Sequence, residues 1–158
     1  MKLTAYLHNR QGFTLVELLI ATVILGVLAE IMAHNLLSQI ALRRLNAASR
    51  QLAWDLREAR IQAVKSNQRI KVVFPDQHHY TIWTDSDDDG VIDANELPPV
   101  KSGDLQKKYH NVTFLSPLPQ TFTFDSRGTC DATQDINLQT STISKRISIT
   151  ISGKVKIH

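Results

Sequence analysis

The chain has 158 residues, 42% of them hydrophobic and 21% charged, which suits one compact domain with a real core and leaves no room for two full domains. Of its formal charge of +3, Lys2 and Arg10 supply two units near the N-terminus and leave +1 for the rest, so overall basicity does not single out a polyanionic partner. Cys130 stands alone, which excludes an intramolecular disulfide and any cysteine-pair metal or redox site, and reads as inert packing.

In chain order, a short, polar, positively charged segment (residues 1–12) is followed at once by the apolar stretch FTLVELLIATVILGVLA. Basic residues favour the cytoplasmic side, so a helix over 13–36 is expected to span the membrane with residues 37–158 outside. An ordinary signal peptide or plain anchor would share these features, but neither needs a carboxylate within the apolar run. Glu17 is that carboxylate, and it costs about 2.5–3.5 kcal/mol at the centre of a bilayer unless a partner offsets it. If the chain were cut between Gly12 and Phe13, the new amino group would lie one helical turn from Glu17 and would supply that partner, in the same chain or a neighbour.

The hexapeptide G12-F13-T14-L15-V16-E17 resembles the cleavage and methylation motif of type IV pilins and type II secretion pseudopilins. That resemblance implies that a prepilin peptidase recognises Gly12, cuts before Phe13 and methylates the new N-terminus. It also implies that Glu17 pairs with the N-terminus of an adjacent subunit during assembly.

Beyond the apolar stretch, Leu37, Ala41, Leu45, Ala48, Leu52, Leu56, Ala59 and Ala63 recur every three or four residues, as one face of a helix requires. No proline occurs between Phe13 and Phe74, so the spacing predicts one helix over about 14–66, roughly 80 Å long at 1.5 Å per residue. From Arg69 the pattern changes to short β-branched and aromatic runs: RIKVVF, HYTIWT, NVTFL, TFTFD, DINLQ, RISITIS and KVKIH. Turn residues separate them, among them Pro75-Asp76, Arg127-Gly128 and Ser152-Gly153. The expected fold is α+β: a long N-terminal helix packed on a C-terminal antiparallel sheet, with Trp54, Trp83 and Phe114 in the core. The segments TFTFDSRG and ISITISGKVKIH are similar to strands of GspH/FimT-type minor pilins and pseudopilins, which implies the same pilin-like architecture.

Residues 85–96, DSDDDGVIDANE, fit the spacing of a calcium loop. Asp85, Asp87 and Asp89 would supply single oxygens, Gly90 the sharp turn, Val91 its carbonyl, Asp93 a direct or water-bridged ligand, and Glu96 both carboxylate oxygens. The flanks differ from an EF-hand, since HYTIWT reads as an entering strand and Pro98-Pro99 blocks an exiting helix. A solvated acidic hairpin tip would use the same turn chemistry. Six carboxylates in twelve residues repel one another, however, and a structural Ca2+ would relieve that repulsion. No other cofactor is expected.

At the C-terminus, Gly153-Lys154-Val155-Lys156 puts two lysines on one face of a strand. This resembles the glycine-basic-x-basic motif of FimT-type pilins that bind DNA during uptake, with lysines in place of arginines that would grip phosphate bidentately. Lysines also protect exposed sheet edges, which is the competing account. The six histidines show no metal-ligand spacing and no nucleophile elbow occurs, so catalysis is not expected. The expectation is therefore a minor pseudopilin or pilin of a type II secretion or type IV pilus filament, anchored in the bacterial inner membrane with a periplasmic domain. Its partners would be a prepilin peptidase, other subunits and lipid; the alternatives are a DNA-binding minor pilin and an anchored calcium-binding protein.

Overall fold

The structure is a computed structural model that describes residues 12–87, 89, 96, 98–115 and 117–158, with the main chain only at 33–35. It divides into two units, Met1–Gln39 and Ile40–His158.

In the first unit the chain enters helix α1 (Leu15–Ser66) from residues 12–14, which are non-helical. Thr14 begins the helix in the manner of an N-cap: its carbonyl accepts the Leu18 N–H and its hydroxyl accepts the Glu17 N–H at 3.2 Å. T14-x-x-E17 is thus the spacing of a capping box, which places Glu17 where the positive end of the helix dipole favours an acid. From Leu15 to Met32 every residue is exposed within this unit.

The second unit is built on the remaining turns of α1. Leu45, Ala48, Leu52, Leu56, Ala59 and Ala63 are buried, as the three-and-four spacing requires, whereas Trp54 is exposed, as is Leu37 in the first unit. Trp54 was expected in the core; instead it lies on the side of α1 opposite Leu52 and Leu56, because an α-helix turns 100° per residue and position 54 falls halfway round from them.

Eight strands follow among the described residues: β1 (Arg69–Phe74), β2 (His79–Asp85), β3 (Lys101–Asp104), β4 (Thr113–Phe114), β5 (Gln120–Phe124), β6 (Gln134–Gln139), β7 (Ser144–Ile149) and β8 (Val155–Ile157). A single turn of helix, α2 (Leu105–Lys108), lies between β3 and β4. The strands form two antiparallel four-stranded sheets, in the orders β3-β2-β1-β5 and β4-β6-β7-β8, where one sheet was expected. The division falls at residues 125–133: besides its pairing with Ile70 on β1, Phe124 makes an isolated bridge with Cys130, and the Cys130 N–H donates at 2.8 Å to the carbonyl of Ile151 in the turn between β7 and β8. NVTFL shrinks to two paired residues, and RISITIS ends at Ile149 because Ile151 belongs to the turn into β8.

Both sheets and α1 contribute to one apolar cluster. On β1, alternation sends Ile70, Val72 and Phe74 inward. The Phe74 ring meets Phe114 edge-on at 4.9 Å, which joins a strand of the first sheet to one of the second. Trp83, also expected in the core, is half-buried on β2.

Candidate functional site: N-terminal segment, acidic loop and basic tail

Helix α1 is long and apolar enough to cross a membrane, and its most apolar window is wholly exposed. The peptide bond between Gly12 and Phe13 lies just outside the helix, both residues exposed. A side chain added at Gly12 would meet nothing within 4 Å, so packing does not require glycine there. Glu17 follows on the first helical turn.

The acidic loop begins where β2 ends. Asp85, the last residue of that strand, is 3% exposed, whereas Asp87 and Asp89 face solvent. The chain turns so that one carboxylate oxygen from each of the three lies within 4.8 Å of the others. Glu96 folds back to the start of the loop and is 8% exposed. Its Oε1 accepts the Ser86 N–H at 2.6 Å and the Ser86 hydroxyl at 3.2 Å. Val91 and Asp93, the remaining ligand positions, lie outside the described residues. Carboxylate oxygens alone suit a hard dication and not a thiophilic or imidazole-seeking metal. Beyond the loop the chain enters β3, so the strand-flanked setting differs from an EF-hand.

The return of the loop is fixed by a buried polar cluster that sequence reasoning missed. Asp55 on α1 is 1% exposed. It accepts hydrogen bonds from the Tyr80 hydroxyl and from Gln51 Nε2, the latter at 2.9 Å, and pairs with Lys101 Nζ at 2.8 Å. Lys101 opens β3 and also reaches Glu58 at 2.6 Å. Burial alone would lower the Lys101 pKa, but its bonds to Asp55 and Glu58 outweigh that and hold it above its ordinary 10.5. Burial and then the Asp55 carboxylate push the Tyr80 phenol well above its ordinary range. The available signal was Asp55 itself, a carboxylate beside Leu52, Leu56 and Ala59 on the apolar stripe.

At the C-terminus, Lys154 and Lys156 are both exposed, but they do not share a strand as expected: Lys156 lies on β8, an edge strand of the second sheet, and Lys154 precedes it, where the chain is still leaving the turn at Gly153. Lys156 lies opposite Ser148 on β7, while Arg146 is engaged with Asp135 at 3.6 Å. Lys145 and Arg146, neighbours on one strand, both line a shallow depression with Asn137, Ser144 and His158. Cys130 is buried, and that burial pushes its thiol up to about 11, away from the reactive thiolate.

Against known proteins, the sequence family described as type II transport protein GspH matches residues 48–153, and a prokaryotic N-terminal methylation motif matches residues 7–29. The type IV minor pilin FimU of Pseudomonas aeruginosa PAO1 is similar in structure, with TM-score 0.57 and 18% identity over 72% of this chain and 87% of that one. The minor pseudopilin EpsH from the type 2 secretion system of Vibrio cholerae gives TM-score 0.54 and 14% identity over 73% and 96%. At these identities the likeness is one of fold. A search of curated proteins gives no match. With the family matched across more than half its length, and a methylation motif on the apolar helix before it, the chain belongs to the GspH family of type II transport proteins.

Proposed function

We propose that the chain is a minor pseudopilin or pilin, a structural subunit of a type II secretion pseudopilus or type IV pilus. It is inserted in the bacterial inner membrane with its N-terminus in the cytoplasm, and a prepilin peptidase cuts it before Phe13 and methylates the new amino group. Glu17 then meets the N-terminal amine of a neighbouring subunit and draws it into register. The observation that carries this reading is the first turn of α1: an exposed Gly12-Phe13 bond outside the helix, then a lone carboxylate at the head of an uncovered apolar surface. A carboxylate there is costly in lipid unless a cation arrives, and cleavage makes one. Family membership supports a mechanical role and not a chemical one.

The test is intact mass and N-terminal sequencing of the membrane-extracted chain from cells with an active prepilin peptidase. A chain beginning at methylated Phe13 supports the reading. One beginning at Met1, or cut beyond the apolar stretch, overturns it.

The acidic loop supports a second, compatible reading, that it holds a structural calcium ion. Its support is the convergence of Asp85, Asp87 and Asp89 together with the return of Glu96, eleven residues after Asp85, to the start of the same loop. Asp93 and the Val91 carbonyl would complete the oxygen set by their spacing. The ion's role would be to fix the connection between β2 and β3.

A further inference from the structure

The corner where β1 turns into β2 gathers an imidazole and two carboxylates that the core does not use. In the turn, Asp76 Oδ1 accepts the His78 N–H at 2.7 Å and the His79 N–H at 2.9 Å, as an aspartate does when it closes a turn on its own backbone. The same carboxylate meets Nδ1 of the His79 ring, at 2.9 Å from Oδ1 and 2.8 Å from Oδ2. Across the ring, Nε2 stands 3.8 Å from Asp104 Oδ2. His79 begins β2 and Asp104 ends β3, and the two lie directly opposite in the register of those strands. The buried Leu105, next after Asp104, donates its N–H to the His78 carbonyl at 2.8 Å and so fixes the corner. The side chains of Asp76, His79 and Asp104 are 53%, 50% and 40% exposed, so solutes reach all three.

The contacts of Asp76 settle which ring nitrogen carries hydrogen. The His78 N–H, foremost, and the His79 ring and N–H hold the Asp76 carboxyl below its ordinary 3.8, so at neutral pH it is ionised and can only accept. Nδ1 is therefore the N–H, and in the neutral ring Nε2 turns its lone pair toward Asp104. A separation of 3.8 Å is longer than a hydrogen bond, so a proton on Nε2 is not what joins the two groups. Bonds of about 2.0 Å to a tetrahedral ion place two ligand atoms roughly 3.3 Å apart. A small turn of the exposed Asp104 carboxylate closes the difference while its Oδ1 stays on the Lys107 N–H.

We propose that His79 Nε2 and Asp104 Oδ2 form a divalent metal site of the zinc type, with Asp76 as the positioning residue that orients the ring through Nδ1 and with water in the remaining positions. A carboxylate behind a ligating imidazole fixes its tautomer and raises its basicity. Imidazole nitrogen beside carboxylate oxygen suits Zn2+ and its transition-metal neighbours and not Ca2+, so the site is chemically distinct from the acidic loop. The two carboxylates balance the charge of the ion. Once bound, it ties the β1–β2 turn to the end of β3 and the start of α2. The spacing of the histidines does not reveal this site, because its ligands meet only through the register of β2 and β3.

The experiment uses the untagged full-length chain in detergent, with 15N in the histidine rings, at neutral pH and with excess CaCl2 so that the acidic loop does not compete. ZnCl2 is added and the imidazole 15N resonances are followed. The expected result is a His79 ring protonated on Nδ1 alone before addition, whose Nε2 resonance zinc then shifts ahead of those of the other histidines. By calorimetry, His79→Gln abolishes this binding, and Asp76→Asn weakens it by about tenfold to a hundredfold. Urea midpoints without zinc show whether the variants fold; should one fail, the resonances of the parent chain decide alone. A His79 ring protonated on both nitrogens, zinc that moves another histidine and not His79, or equal affinity with and without the Asp76 carboxylate overturns the proposal, as does no binding up to millimolar zinc.

Discussion

Arg60 on α1 donates its Nε–H to the carbonyl oxygen of Gly128 at 2.8 Å, across 68 residues of sequence. A third segment closes on the pair, since a Cβ at Gly153 would lie 2.0 Å from that same carbonyl oxygen and 2.6 Å from Arg60 Nε. Gly128 and Gly153 both hold left-handed backbone, φ +76° and +72°. Helix, the connection between the sheets and the β7–β8 turn therefore meet where no side chain fits. Gly153→Ala pays backbone strain and an overlap that only movement of backbone relieves, and is expected to lose on the order of 3 kcal/mol. Thermal unfolding of the detergent-solubilised chain by circular dichroism checks it; an unchanged melting temperature would show that the junction yields freely.

Gly12→Ala should behave in the opposite way. Open space surrounds Gly12, so stability is expected to stay within about 0.5 kcal/mol. The same substitution is expected to leave an uncut precursor in the membrane, read by intact mass. A mature chain from the variant would show that glycine at this position is not what the peptidase reads.

The Asp55 cluster predicts sensitivity to alkali. Lys101 and Tyr80 both have folded pKa values raised above their ordinary 10.5 and 10.0. Each thus contributes stability that is complete below its ordinary value and is lost as pH rises toward the elevated one. Stability should fall above about pH 10. Lys101→Met, which leaves the buried Asp55 without its cation, is expected to cost about 2 kcal/mol at neutral pH, discounted because the Lys101 side chain is 34% exposed. Urea unfolding midpoints across pH 7–11 test both; a wild-type curve that stays flat to pH 11 would refute the alkaline limb.

At acid pH the opposite sign applies. Burial raises the Asp125 pKa, but hydrogen bonds from Thr129 and Arg127 outweigh it and hold the carboxyl below its ordinary 3.8. Its contribution is present above that value and is lost as pH falls through the lowered one. Asp125→Asn should flatten the acid limb of the stability curve below pH 4 relative to the parent chain.

If the acidic loop holds calcium, the ion stabilises the fold by mass action, about 2.7 kcal/mol at a hundredfold excess over Kd. Adding CaCl2 to the chelator-treated chain is expected to raise its melting temperature, and Glu96→Gln, which keeps the shape of the side chain that meets Ser86, should abolish the rise. Equal melting with calcium and with chelator would leave the loop as a solvated hairpin tip.

The elements most legible in the sequence are those specified by local periodicity. The apolar face of α1 and the inward residues of β1, β2 and β5 follow from repeats of 3.6 and 2, which depend on backbone geometry alone. β3 was not legible, because Lys101–Asp104 has no alternating pattern and is a strand only through its pairing with β2. Nor was α2, a single turn whose N-cap Asp104 accepts the Lys107 N–H at 3.0 Å.

The sites divide in the same way. The proposed roles of Gly12, Phe13 and Glu17 come from six consecutive residues, and the proposed ligand set of the acidic loop from the spacing of twelve. The partners of Asp55 lie as far along the chain as Lys101, and Gly128, Gly153 and Arg60 meet from three segments far apart in sequence. By itself the sequence determined the elements and motifs written within a few turns or one loop. Tertiary structure alone decided the division into two sheets and the buried Asp55 cluster, because each depends on segments distant in sequence meeting in space, whereas the exposure of Trp54 follows from its place on the helix relative to Leu52 and Leu56.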